Sequence, residues 1–136
     1  MGDEMFAQAA AIAGPDGEAV LSDFLSREFS SGFPDSEVAR VIEGSLKMPR
    51  GAAAELMLSI MQSDFRDVLP RIRRPALCIG GTRSHLGPEA MPWMASRIPN
   101  SRLAMIDARH FVHLENPGQF NSALRSFLEQ IETASD

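Results

Sequence analysis

Up to residue 70, apolar residues recur three and four positions apart, which is the spacing of one helix face. Turn-forming runs such as Gly14-Pro15-Asp16-Gly17 and Gly32-Phe33-Pro34 interrupt this pattern. The pattern predicts four helices, over residues 4–13, over Glu18–Ser30, from a cap at Asp35 or Ser36, and after Arg50-Gly51. No segment in this part of the chain alternates like a strand, so we expect residues 1–70 to be a helical region.

After Pro75 the pattern changes to that of strands and helices in alternation. Ala76–Ile79 is a short apolar run ended by glycines, and Arg102–Ile106 is similar, as is typical of strands buried on both faces. A helix is expected between them over Pro88–Arg97, and an amphipathic helix over Gln119–Ile131. The residues expected to face inward on the last helix are Phe120, Leu124, Phe127 and Leu128.

A strand, a helix and a strand joined this closely predict a right-handed parallel crossover. The predicted fold class is therefore α/β, with four helices followed by a β-α-β-α unit over residues 71–136 that contains two parallel strands. Two parallel strands are not a stable sheet, because parallel strands normally lie among several neighbours. We therefore expect the chain to supply one end of a larger sheet.

The composition is that of an ordinary globular chain, with 44% hydrophobic and 23% charged residues among 136. A net charge of −5 argues against a nucleic-acid partner, because phosphate binding needs clustered Lys and Arg. The apolar stretches are too short to span a membrane, and the acidic N-terminus is unlike a signal peptide, so we expect a cytoplasmic protein. The single cysteine, Cys78, lies in an apolar run and is interpreted as a core residue, with no disulfide and no metal cluster.

Two stretches of the chain resemble a known family. DFRDVLPRIRRPALCIGG is similar to the entry into the penultimate strand of the α/β-hydrolase superfamily, and SRLAMIDARHFVHLENPGQFNSALRSFLEQ resembles its last strand, histidine loop and final helix. The motif from His110 to Pro117 is the most specific part. The four preceding helices resemble the lid of that family in position and number. The resemblance thus implies a C-terminal portion of this fold.

In that family the catalytic residues occur in the order nucleophile, acid and histidine, and the resemblance assigns the histidine to His110. An imidazole at this place takes the proton of the nucleophile and returns it to the leaving group. A lone histidine can equally be structural, so the motif carries the assignment. In the same motif, Glu115 is implied to brace the loop by accepting backbone hydrogen bonds, and His113 has no assigned role.

The sequence departs from the family at the other two catalytic positions. Ser84 stands in the place of the acid, where a serine cannot stabilise an imidazolium as a carboxylate does. The acid could come from a strand outside this sequence, and Asp107 is a weaker candidate that can also be a solvated loop charge. No Ser or Cys has the Gly-x-Ser-x-Gly elbow, and Gly44-Ser45 and Cys78-Ile79-Gly80 are the nearest approaches.

These features favour the C-terminal half of a hydrolase for a small, fairly apolar ester, lactone or carbon-carbon bond substrate, with no cofactor and no activity alone. Met57 and Met61 could line its pocket or be ordinary helix core. The alternative is a non-catalytic module that self-associates as a homodimer, which Ser84 favours. A helical domain unrelated to hydrolases is least favoured, because the His110 loop would then be a coincidence.

Overall fold

The computed structural model describes residues 2–133, and only the backbone of residues 2–5. Its internal contacts divide the chain into two compact units. The helical unit runs to Arg27 and resumes over Ser31–Asp64, and the sheet unit contains Glu28–Ser30 together with the described residues from Phe65 onward. This division falls at Asp64, and it assigns a short segment between two helices to the sheet unit.

The helical unit contains four helices: α1 (Gly2–Ala13), α2 (Gly17–Arg27), α3 (Asp35–Ser45) and α4 (Arg50–Gln62). Helix α1 packs on α2 and α4, and α2 packs on α3. The buried side chains of this unit include Ala9, Ile12, Leu25 and Ala54. Arg50 at the start of α4 donates to the carbonyl oxygens of Gly14 and Pro15, at 2.9 Å each, and so holds α4 to the turn between α1 and α2.

Three local predictions for the helical unit need correction. Helix α2 ends at Arg27 rather than at Ser30, because the backbone groups of Glu28 and Ser30 bond within the sheet unit instead. Pro34 occupies the N-cap of α3, where the described residues provide no side-chain cap, and Asp35 lies in the first turn. On the expected apolar side of α4, Leu56 and Ile60 are exposed.

The sheet unit has the predicted β-α-β-α order, with one further short helix before the last helix. After a 3₁₀ turn at Leu69–Arg71 come β1 (Ala76–Gly81), α5 (Ala90–Arg97), β2 (Ser101–Ile106), α6 (Val112–Glu115) and α7 (Pro117–Thr133). The two strands pair in parallel, as expected, with Ala76 opposite Ser101 and Gly81 opposite Ile106. Helix α5 packs on both strands. The sheet unit is therefore an α/β unit with two parallel strands.

The core of the sheet unit is small. Ile106, Ala108 and Val112 are buried together, and Ile79 and Phe120 pack against them. Cys78 is buried in β1, which confirms its interpretation as a core residue, and this burial raises the pKa of the thiol. None of the helices within residues 2–133 is long and apolar enough to cross a membrane.

Parts of this unit that were expected to be buried are exposed. Leu103 on β2 is 43% exposed, and Arg102 beside it is exposed as well, so β2 is not covered on both faces. On α7, Leu124 and Leu128 are also exposed, contrary to the prediction that they face inward. A sheet of two strands is only about 10 Å wide, since neighbouring strands lie about 4.8 Å apart, and it cannot cover the apolar face of a long helix.

The ends of β1 and β2 are held close together by backbone contacts. The Thr82 N–H donates to the carbonyl oxygen of Ile106 at 2.9 Å, and the Arg83 N–H donates to that of Ala108 at 3.0 Å. Gly81 lies where these segments meet, and a Cβ atom there would be 1.9 Å from the carbonyl oxygen of Arg109. A side chain at position 81 therefore requires the loop after β2 to move.

We predict that Gly81→Ala destabilises the sheet unit by about 1–3 kcal/mol, as an overpacked interior does. Gly118→Ala is the matched control, because a Cβ at Gly118 meets nothing within 4 Å, and it should change stability by less than about 0.5 kcal/mol. Urea unfolding followed by circular dichroism and by the fluorescence of Trp93 measures both. Equal midpoints for the two variants would contradict the close approach.

Candidate active site

His110 lies on the loop that joins β2 to α6. Its backbone N–H donates to the carbonyl oxygen of Glu28 at 3.2 Å. The carboxylate of Glu115 accepts from the backbone N–H of Arg109 at 3.1 Å and from that of Ser30 at 3.3 Å. The predicted bracing role of Glu115 is therefore confirmed, and the segment 28–30 is fastened to the same loop.

Aromatic side chains fill the space around this loop. Phe111 stacks on Phe29, with ring centroids 4.8 Å apart, and meets His110 edge-on at 5.4 Å. His113 lies 6.3 Å from Phe111 and 5.9 Å from Phe120. His113, which had no predicted role, thus lies between two aromatic rings.

A buried carboxylate, Glu28, lies beside His110. Glu28 is only 5% exposed, and its Oε2 is 2.6 Å from Nδ1 of His85. The rings of His85 and His110 lie 4.9 Å apart with an angle of 33° between their planes. One ligand atom from each of these three side chains lies within 4.8 Å of the others. The structure therefore brings together two imidazoles and a carboxylate.

Sequence reasoning identified His110 in this group but missed Glu28 and His85. Glu28 follows α2 in the chain and carries no motif, and its position depends on a contact between residues far apart in sequence. A weak signal did exist for His85, which directly follows the serine in the acid's usual place. The sequence position of His85 indicates nearness to His110 only once β1 and β2 are known to be paired in parallel.

The environment of His110 favours its neutral form. Desolvation lowers the pKa of its imidazole, the Glu28 carboxylate opposes this by raising it, and the neighbouring His85 and His113 lower it further. Because the net direction is downward, the ring is unprotonated at neutral pH. An unprotonated imidazole can accept a proton, which is what a general base requires.

The two acid candidates from the sequence lie in different surroundings. Ser84 is on the loop after β1, and its Oγ accepts from the backbone N–H of Leu86 at 3.4 Å. Asp107 instead pairs with Arg83, with Oδ1 2.9 Å from Nε, and its side chain is 75% exposed. Asp107 is thus a solvated ion pair at the end of β2, as its alternative interpretation predicted.

A small cavity of about 70 Å³ opens beside His110. It is lined by residues of the sheet unit: Ile79, Gly80, Gly81, Ser84, Leu86, Gly87, Ala90, Met91, His110 and Val112. Pockets that enclose small-molecule ligands usually measure about 300–1,000 Å³, so this cavity alone is too small for such a ligand. Met57 and Met61 lie on α4 of the helical unit and are not among its lining residues.

No protein-family model matches the chain. Among curated proteins, it is 30% identical over 116 residues to the polyketide synthase ThaQ of Burkholderia thailandensis, a match that covers 79% of this chain and 6% of that protein. It is also 36% identical over 75 residues to the pyrrolizixenacetamide deacetylase of Xenorhabdus hominickii, which covers 54% of this chain and 27% of the deacetylase. The chain thus spans a minor part of each of these curated relatives.

Solved structures match most of the chain. A hydrolase from Pseudomonas aeruginosa superimposes with a TM-score of 0.81 at 25% identity, covering 93% of this chain and 50% of the hydrolase. An enol-lactonase from Burkholderia xenovorans gives 0.82 at 24% identity, covering 90% and 49%. An esterase from Exiguobacterium antarcticum gives 0.86 at 22% identity, covering 95% and 48%. These matches show that the chain has the fold of a C-terminal portion of the α/β-hydrolases.

Proposed function

We propose that this chain is the C-terminal half of an α/β-hydrolase that acts on a small, fairly apolar ester, lactone or carbon-carbon bond substrate. The chain is inactive until an N-terminal half supplies the nucleophile and the oxyanion hole. The observation that carries the proposal is the place of His110, on a braced loop at the end of β2, in a chain without a Gly-x-Ser-x-Gly elbow.

In the completed enzyme His110 is the general base. Its neutral ring takes the proton of the nucleophile as the new bond to the substrate carbon forms, and then gives this proton to the leaving group. The lowered pKa of His110 supports this role, because the ring stays free to accept a proton at neutral pH. The cavity beside His110 is then one wall of a larger pocket whose other walls come from the missing half.

Glu28 supplies the negative charge that stabilises the protonated His110 ring, which Ser84 cannot supply. When His110 accepts a proton, the imidazolium needs a fixed negative charge nearby, and a neutral hydroxyl does not provide one. The carboxylate of Glu28 is nearly fully buried, so its charge acts through protein rather than through water and is felt more strongly. Its contact with His85 and the backbone bond from His110 to its carbonyl oxygen hold it in place.

The incomplete sheet supports the need for a second half. In the described part of the chain β1 pairs with β2 alone, which leaves one edge of each strand unpaired. Leu103, Leu124 and Leu128 are exposed where further strands or helices would cover them. The matched hydrolase structures are about twice as long as the region they share with this chain. In the completed protein the four helices of the helical unit serve as the lid.

The substrate class follows from the relatives only in outline. One curated relative is a deacetylase, and the matched structures include an esterase and a lactonase. All three names describe attack on an acyl carbon. An acyl substrate is therefore favoured over a carbon-carbon bond substrate.

A second candidate function is a non-catalytic module that self-associates as a homodimer. The serine at position 84 favours it, since an enzyme is expected to keep a carboxylate there. The exposed leucines of β2 and α7 favour it as well, because a second copy of the chain could cover them. The two functions differ in what completes the sheet, which is a nucleophile-bearing half in one case and an identical chain in the other.

We predict that the purified chain does not hydrolyse short p-nitrophenyl esters faster than its His110→Ala variant. The nucleophile and the oxyanion hole provide most of the rate enhancement in this chemistry, and the chain contains neither. Initial rates at matched protein concentrations test this. Turnover that disappears in His110→Ala would show that the chain has a nucleophile of its own.

Joining or mixing the chain with its nucleophile-bearing half is expected to give esterase activity that depends on Glu28. His110→Ala should lower kcat about 10²–10⁴-fold. Glu28→Gln should lower it about tenfold or more while KM stays nearly constant, because the missing charge acts on the protonated imidazole. Ser84→Ala and Asp107→Asn are the controls and should retain activity within about twofold. A kcat that falls in Asp107→Asn but not in Glu28→Gln would contradict the assignment of the acid.

The isolated chain is expected to form dimers at micromolar concentration, because exposed strand edges and apolar side chains favour pairing with another copy. Sedimentation should give about twice the monomer mass of 14.8 kDa. Leu103→Glu should shift the chain toward monomer, whereas Leu56→Glu, at an exposed site on α4, should not. A stable 14.8 kDa monomer with cooperative unfolding would contradict this prediction.

A further inference from the structure

We propose that Glu28, His85 and His110 form a binding site for a divalent transition metal ion, with Zn²⁺ as the ligand that the donor set fits best. The site offers two imidazole nitrogens and one carboxylate oxygen, and these three atoms lie within 4.8 Å of one another. Three protein ligands of these types, with a fourth position open to water, are the usual donors of a catalytic zinc site.

The separation of the three ligand atoms is within reach of metal coordination. Zinc bonds to nitrogen and oxygen are about 2.0–2.2 Å long, so two ligand atoms of a tetrahedral site lie roughly 3.3–3.5 Å apart. Oε2 of Glu28 and Nδ1 of His85 are already closer than this, at 2.6 Å. The ion would spread that pair slightly and draw the His110 ring inward.

The placement of the three side chains suits this adjustment. Glu28 is buried, and its backbone carbonyl is bonded to the His110 N–H, so it is the fixed point of the site. His85 and His110 lie on loops and are more exposed than Glu28, so a small movement of their rings displaces few buried side chains. His85 follows the Ser84 turn, and its side chain is 32% exposed.

Electrostatics favours a cation at this position. A buried carboxylate is costly unless a positive charge or hydrogen bonds compensate it. In the structure Glu28 faces the ring nitrogen of His85, and a metal ion would replace the proton that they share. A metal ion of charge +2 compensates a carboxylate in a partly desolvated site better than a single hydrogen bond does.

The ligand types distinguish zinc from the common hard cations. Mg²⁺ and Ca²⁺ prefer sites built from oxygen atoms alone, and Mg²⁺ keeps most of its water. Two imidazoles and one carboxylate instead suit zinc and its transition-metal neighbours. The proposed site is therefore expected to discriminate strongly against magnesium.

The inference shares His110 with the proposed hydrolase but does not depend on it. With a zinc ion on one ring nitrogen of His110, the neutral ring carries its proton on the other nitrogen, so a metal-loaded chain could not use His110 as a base. Metal binding is measured on the chain alone, without a nucleophile-bearing half. Failure of hydrolysis and failure of metal binding are thus separate results.

The test is Zn²⁺ binding to the full chain after treatment with EDTA and desalting, measured by competition with a chromogenic chelator. We expect one ion per chain, with a dissociation constant in the micromolar range or tighter and no competition from millimolar Mg²⁺. Glu28→Gln, His85→Ala and His110→Ala should each weaken binding at least about tenfold. His113→Ala is the matched control, since it removes the one histidine outside the site, and it should bind as the unchanged chain does.

Circular dichroism and Trp93 fluorescence show whether each variant is folded, and the visible absorption of bound Co²⁺ gives a second readout of coordination. A dissociation constant weaker than about 100 µM in the unchanged chain would overturn the proposal. Zn²⁺ binding that is weakened equally in His113→Ala and His85→Ala would also overturn it. So would a Co²⁺ absorption spectrum of Glu28→Gln that is identical to that of the unchanged chain.

Discussion

The parallel pairing of β1 and β2 is the interaction on which the rest of the sheet unit depends. Because the strands run the same way and are in register from Ala76 opposite Ser101, their carboxyl ends lie at the same edge. The loop after β1 carries His85 and the loop after β2 carries His110, so the pairing places both imidazoles together. The lack of a side chain at Gly81 then allows these two loops to approach closely.

A second constraint is the segment 28–30, which leaves the helix pattern and joins the sheet unit. Its backbone bonds to His110 and Glu115, and Phe29 stacks on Phe111. These contacts bury the Glu28 carboxylate beside two histidines. The site therefore combines an imidazole of lowered pKa with a buried carboxylate. The same arrangement gives the chain the ligand set of a zinc site.

Local patterns in the sequence predicted most elements of the fold. The apolar runs that become β1 and β2 and the amphipathic α7 follow from short-range spacing, since each depends on neighbouring residues. The loop carrying His110 was identified from its resemblance to a known family instead. Glu28 could not be found in this way, because its role arises from contacts with His85 and His110, far away in sequence. The predicted burial of Leu103 and Leu124 was wrong. Apolar spacing shows which face of an element is hydrophobic, but it does not show whether this chain has another element that packs against that face.

The central claim is that His110 serves a nucleophile carried by residues outside this sequence. A fluorophosphonate probe, which reacts covalently with an activated serine, tests it most directly. The isolated chain should remain unlabelled, as its serines lack an elbow and an oxyanion hole. After joining to the nucleophile-bearing half, labelling should appear on a serine of that half and slow at least about a hundredfold in His110→Ala. Labelling of a serine in the isolated chain would contradict the claim. An equal labelling rate of the joined protein with and without His110→Ala would contradict it as well.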